Sequence, residues 1–145
     1  MNSLNYLISV EKLDCMIRQK EERIEELKNE AEGIKAIQYD ADKVQTSVKD
    51  RMSEIIAEYG DMINELNEDK LHLQKKKSDV IDKINLLDNT DQIRVLVMNY
   101  VNLYNLKQIA DKMNRSERQI FRIRKEALKN FDRIYMMSVD VSNKV

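Results

Sequence analysis

Residues 105–131 read NLKQIADKMNRSERQIFRIRKEALKNF, and this stretch decides how the chain is built. It has the form of two short amphipathic helices joined by a tight turn. Asn105 stands at an N-cap position, with Gln108 three residues on as the reciprocal partner of a capping box. Ile109, Ala110 and Met113 share the inward face, and Ala110 is small where two helices must approach. Asn114 tolerates the left-handed backbone that a tight turn requires. Ser116 then caps a second helix, and Gln119 completes a second capping box. Ile120, Ile123, Ala127, Leu128 and Phe131 line one side of that helix. Glu117, Arg118, Phe121, Arg122, Arg124, Lys125 and Lys129 fall outside or at its margins.

That outer set has the chemistry of duplex recognition. Arg pairs bidentately with guanine, Glu accepts from cytosine, and an aromatic or aliphatic edge meets the thymine methyl. A recognition helix enters the major groove by its N-terminal part. Glu117, Arg118, Phe121, Arg122 and Lys125 are therefore the candidates for base contact. Lys107, Gln108, Arg115, Ser116 and Gln119, with Lys129 as a weaker addition, are the candidates for the phosphate backbone. Taken one at a time, the same residues also fit a solvated basic helix in an ordinary three-helix bundle.

Charge is distributed to match. Residues 1–92 carry 14 Lys and Arg against 21 Asp and Glu, a net of −7. Residues 93–134 carry 10 basic against 4 acidic, a net of +6, although the whole chain stands at −1. A basic C-terminal module is the electrostatic footprint of polyanion binding, and the acidic part would repel the same polyanion.

Upstream, Tyr6, Val10, Leu13, Ile17, Lys20, Ile24, Leu27, Ala31 and Ile34 alternate steps of four and three, a seam on one helical face. Gly33 weakens that helix, so residues 33–46 are expected to form a loop or reversal, with room for a short helix from Ala36 to Val44. A second long helix starts near Ser47, with Met52, Tyr59, Leu66, Leu73, Val80 and Leu87 recurring every seven residues. Ile55, Ile56, Met62, Ile63, Ile81 and Ile84 flank that row, while Asp69, Lys70, Lys76 and Lys77 break the flanking rows mid-helix, so the seam is narrow there. About forty residues make a rod of roughly 60 Å. Two such helices predict an antiparallel hairpin, each with one apolar stripe, and a homodimer formed through this arm is the natural corollary. Asp88, Asn89, Thr90 and Asp91 offer caps for the next helix, whose apolar face is Ile93, Leu96, Val97, Tyr100 and Val101.

The expected fold is all-α: a coiled-coil-like hairpin arm over residues 1–88, a three-helix DNA-binding module over 89–134, and a tail over 135–145. Two glycines and no proline in 145 residues leave little to interrupt helices. No apolar run is long enough for a membrane span. The N-terminal stretch lacks the pattern of a secretory signal, and a lone cysteine suits a reducing cytoplasm. Cys15, beside Leu13 and Ile17, is expected as a buried or partly buried structural thiol, and His72 as an exposed helix residue. No zinc-ligand spacing, phosphate-cradling glycine loop or histidine-containing triad can be assembled, so neither catalysis, a cofactor nor a metal is expected.

The stretch Ile109-Ala110-Asp111-Lys112-Met113-Asn114-Arg115-Ser116, with Ile120 and then Ala127-Leu128, resembles region 4 of bacterial sigma factors. The wider chain resembles the phage-encoded ArpU and RinA-like transcriptional regulators. The shared parts are Tyr6-Leu7 to Leu13-Asp14, the long middle helix, the C-terminal module and, most distinctively, Tyr39-Asp40-Ala41-Asp42-Lys43-Val44-Gln45-Thr46-Ser47. The resemblance implies a helix-turn-helix protein of the bacterial host's cytoplasm and nucleoid that binds promoter DNA and activates late or packaging genes. Glu117, Arg118, Phe121 and Arg122 match the positions that read promoter DNA in region 4. Phe121 departs from the charged residue common there, so the target need not be the standard promoter element. Contact with host RNA polymerase is a further implication. A small terminase subunit, which also joins a helix-turn-helix to helical oligomerisation elements, and a coiled-coil adaptor with no DNA partner are the competing readings.

Overall fold

A computed structural model describes residues 2–40 and 46–143. Every regular element among them is helical. In chain order these are α1 (Ser3–Asp40), α2 (Thr46–Ile84), α3 (Thr90–Leu96), a π-helical stretch (Val97–Val101), α4 (Leu106–Met113) and α5 (Glu117–Asn143). No helix among the described residues is long and apolar enough to cross a membrane. The chain divides into two compact units, Asp14–His72 and Met1–Leu13 with Leu73–Val145.

In the Asp14–His72 unit, Ile17, Ile24 and Leu27 of α1 and Ile55 and Leu66 of α2 are buried, as their seam spacing demands. Charged pairs flank this seam. Lys20 reaches Asp69 and, at 3.5 Å, Glu65; Glu21 meets Lys70 at 3.6 Å. Arg23 meets Glu58 at 3.0 Å, and Glu30 meets Arg51 at 2.6 Å. From Lys20 and Glu21 to Arg23 and then Glu30 on α1, the partners on α2 fall from the 65–70 region to Glu58 and Arg51. Lys20 therefore has a physical reason to occupy a seam position. Asp69, which breaks a row flanking the apolar one of α2, accepts its proton-bearing end, while the aliphatic stem stays half-buried. The hydrogen bond that Lys20 donates to Asp69 is the first cause of a Lys20 pKa above its ordinary value.

Two local expectations are corrected here. Helix α1 does not end at Gly33 but runs to Asp40. One glycine costs a helix only about 1 kcal/mol, and Gly33 is exposed with nothing near its Cα to disturb. The remainder of the expected loop, residues 41–45, lies outside the described residues, and so does the centre of the Tyr39–Ser47 segment. Cys15 is exposed rather than buried. It sits two residues from both Leu13 and Ile17, so on a helix it points away from the face they share.

In the other unit the first turns of α1 and the last third of α2 pack with the C-terminal helices. Tyr6, Leu7 and Val10 are buried together with Leu73, Val80, Ile84 and Leu87. The Tyr6 ring lies 6.4 Å from that of Phe131 and 5.1 Å from that of Tyr135. Its hydroxyl donates to Asp79, and Lys76 and Lys83 place their ammonium groups 4.6 and 4.4 Å from its ring centroid. Ser3 Oγ donates to Asp132 Oδ1 at 2.6 Å. Burial, with Asp79 adding to it, pushes the Tyr6 phenol well above its ordinary pKa. Tyr135 is buried and α5 continues without a break to Asn143.

A further departure lies after α3. The chain was expected to carry one regular helix through Val101, but α3 stops at Leu96 and widens into the π-helical stretch. Asn102 N donates to Val97 O at 2.9 Å, closing the five-residue turn. Leu103 then adopts a left-handed conformation at φ 60. That conformation costs a non-glycine residue about 1–2 kcal/mol. The flanking bonds hold it: Tyr104 N donates to Met98 O at 2.9 Å, and Asn99 Nδ2 donates to Tyr104 O at 2.8 Å.

Candidate nucleic-acid interface

Helices α4 and α5 are placed by local chemistry first. Asn89 caps α3 by accepting from Gln92 N at 3.1 Å. Asn105 and Gln108 exchange both bonds of a capping box at 2.9 Å each, which fixes the start of α4. Asn114 ends α4 in the left-handed region at φ 54 and ψ 46. Ser116 and Gln119 form the second reciprocal pair, at 3.0 and 3.1 Å, so α5 begins at a defined residue. Each box satisfies backbone donors that a helix start leaves orphaned.

Packing then sets the angle between these pieces. Val95 of α3, Ile109 and Ala110 of α4 and Ile120 of α5 form one buried cluster, with Met98, Tyr104, Leu106, Met113 and Ile123 against it. Asn130 Nδ2 donates to Gln92 Oε1 at 2.9 Å, tying α5 to α3 further along. Ala127 and Phe131 continue the buried face.

The outward face is correspondingly charged. Arg118, Arg122, Lys125 and Lys129 are exposed and spaced by four, three and four residues, which puts them on one stripe. Glu117 and Phe121 are exposed beside that stripe. Lys107, Gln108, Arg115, Ser116 and Gln119 are also exposed. All eleven predicted contact residues are thus open to solvent, but they are not equivalent. Among the described residues, no ion pair engages Lys107, Arg118, Arg122, Lys125 or Lys129. Arg115 is held by Asp91 of α3 at 2.7 Å. Gln108, Ser116 and Gln119 spend their side-chain oxygens on the capping boxes, which leaves the two glutamines only amide N–H groups to offer.

Two partners on this surface escaped the sequence reading. Arg124 lies with its guanidinium carbon 5.6 Å from the Phe121 ring centroid, and its Nη1 stands 3.5 Å from Asn99 Oδ1. The i, i+3 spacing of Phe121 and Arg124 was a legible signal for the first contact. Nothing local announces Asn99. Burial raises the Tyr100 phenol above its ordinary pKa, against the opposing positive charge of Arg124.

No group of three or more His, Cys, Asp and Glu that could hold a metal ion exists among the described residues. His72, the single histidine, is exposed in the Asp14–His72 unit. Among the described residues the arrangement offers a row of cations without ion pairs on a capped helix, the kind of surface that neutralises phosphate while presenting Arg and Lys to base edges.

No curated protein and no solved structure matches the chain. One family match runs over residues 33–132, from the last turns of α1 through α2, both capping boxes and the basic stripe. By that match the chain belongs to the family described as protein of unknown function (DUF1492).

Proposed function

We propose that this protein is a sequence-specific, DNA-binding transcription regulator of a phage or prophage. In this reading α4 and α5 are a helix-turn-helix of the sigma region 4 kind, and α1 with α2 form an antiparallel hairpin arm through which two copies pair. The observation that carries the reading is the stripe Arg118, Arg122, Lys125 and Lys129, exposed and without an ion pair among the described residues, on a helix whose first residue is set by a capping box. An incidental solvated face would be expected to neutralise itself with i, i+3 or i, i+4 carboxylates, as α1 and α2 do at Asp14–Arg18, Arg23–Glu26 and Arg51–Glu54. The segregation of +6 onto residues 93–134 supports the same partner. The resemblance to ArpU and RinA-like regulators supports promoter control, with host RNA polymerase as a second partner.

Selection of bound duplexes from a random DNA pool tests this, with the Arg118→Ala, Arg122→Ala double variant run in parallel. The wild type should enrich a motif that the double variant loses, each arginine contributing about 1–3 kcal/mol when it pairs with a base. Lys107→Ala should weaken binding on every sequence and lower the salt slope by about one. A folded, helical protein that enriches no motif at low salt would refute the proposal and favour a protein-binding adaptor. A ring-forming protein bound at packaging sites would favour a terminase subunit.

A further inference from the structure

Resting on that reading, we infer that Phe121 is a thymine-methyl reader and that Arg124 is the positioning residue that holds it. Phe121 is the one large apolar side chain in the exposed row, 49% exposed between Arg118 one turn earlier and Lys125 one turn later. This phenyl ring stands among charged and polar side chains and stays half open to solvent. The major groove offers such a ring a single apolar group, the thymine C5-methyl.

The ring is not left to rotate freely. The Arg124 guanidinium carbon lies 5.6 Å from its centroid, within cation–π range. Arg124 in turn reaches Asn99 Oδ1 at 3.5 Å, and Asn99 Nδ2 is committed to Tyr104 O at 2.8 Å. The π-helical stretch that carries Asn99 thereby connects to Phe121 through one guanidinium. Arg124 is half-buried, unlike Arg118 and Arg122, so its charge is turned to the protein rather than to solvent. A ring held before binding loses less freedom when it meets its target.

Uracil in place of thymine deletes this methyl and nothing else on the base edge. On the duplex enriched from the random pool, each thymine is replaced in turn by uracil, and binding is measured for wild type, Phe121→Ala, Phe121→Leu, Arg124→Ala and Arg124→Lys. At one thymine, uracil should weaken wild-type binding about fourfold, the effect of removing one apolar carbon from contact. Phe121→Ala should bind thymine and uracil duplexes alike, whereas Phe121→Leu keeps part of the difference. Arg124→Ala should shrink the thymine–uracil ratio while the protein stays folded, and Arg124→Lys should restore it. Sequence-selective binding with no uracil-sensitive thymine would overturn this inference while leaving the proposed function standing, as would a uracil effect that survives in Phe121→Ala. A thymine–uracil ratio unchanged in Arg124→Ala would overturn the positioning role. Absence of any enriched motif would overturn both readings.

Discussion

Replacing Tyr6 by Phe and by Ala separates two contributions of one side chain. Tyr6 is 5% exposed, with Phe131 and Tyr135 against its ring and Asp79 accepting from its hydroxyl. Phe keeps the ring contacts and loses only the hydrogen bond. Such a bond to a charged acceptor is worth about 1.5–3 kcal/mol, but the Asp79 side chain is 55% exposed and regains water when the phenol leaves. A cost of about 1 kcal/mol is therefore expected for Tyr6→Phe. Tyr6→Ala removes the ring and should cost about 3–5 kcal/mol. For a chain near this size, each kcal/mol corresponds to about 2–4 °C in Tm. Thermal unfolding followed by circular dichroism should thus separate the two variants clearly. An alkaline series adds a second signature. The folded-state pKa of Tyr6 is raised, chiefly by burial, so its stabilising contribution is complete below the ordinary phenol value of about 10 and declines as pH rises beyond it. Tyr6→Phe should flatten part of that decline. The reasoning fails if Tyr6→Ala costs under about 1 kcal/mol, since α1 would then not be packed on α5 as described. Equal losses in both variants would refute the division between ring and hydroxyl.

Further tests follow from the connection between α4 and α5 and from its link to α3. Asn114 sits at φ 54, so Asn114→Ala should destabilise by about 1–2 kcal/mol in urea unfolding, while Asn114→Gly should stay close to wild type. Asp91→Asn weakens the hold on Arg115, which lies 2.7 Å from that carboxylate. The released cation should strengthen binding to every duplex and raise the salt slope by about one; an unchanged slope would place Arg115 outside the contact surface. Ile120→Ala opens a void at the fully buried centre of the α3, α4 and α5 cluster and should cost about 2–5 kcal/mol, read as a lower Tm.

Much of this architecture was legible because its causes are short-range. Each capping box joins residues three apart, and the left-handed Asn114 needs only its own side chain and a turn around it. The seams of α1 and α2 likewise report themselves by spacing, so Ile17, Ile24, Leu27, Leu66 and Leu73 were identified as inward before their partners were known. The exposed stripe of α5 is the complement of its buried one. Gly33 shows the weakness of local evidence taken singly, because one glycine's small helix penalty does not end α1. Cys15 shows another: apolar neighbours in sequence are not neighbours on a helical face.

Amino-acid sequence by itself determined that the chain is helical among its described residues, where α4 and α5 begin, and which side of α5 faces solvent. Periodicity and caps act over three or four residues and leave a readable trace. Only the tertiary structure decided that Tyr6 belongs with Phe131 and Tyr135, that Ser3 meets Asp132, and that Asp69 answers Lys20. It likewise decided that Arg115 is held by Asp91, that Arg124 lies against Phe121 and reaches Asn99, and that α3 widens into a π-helical turn before Leu103. These choices are made by shape and charge between segments far apart in the chain, or by strain that neighbouring packing must absorb. No short-range pattern encodes such a balance, because each partner's alternatives are eliminated only when the whole core closes around it.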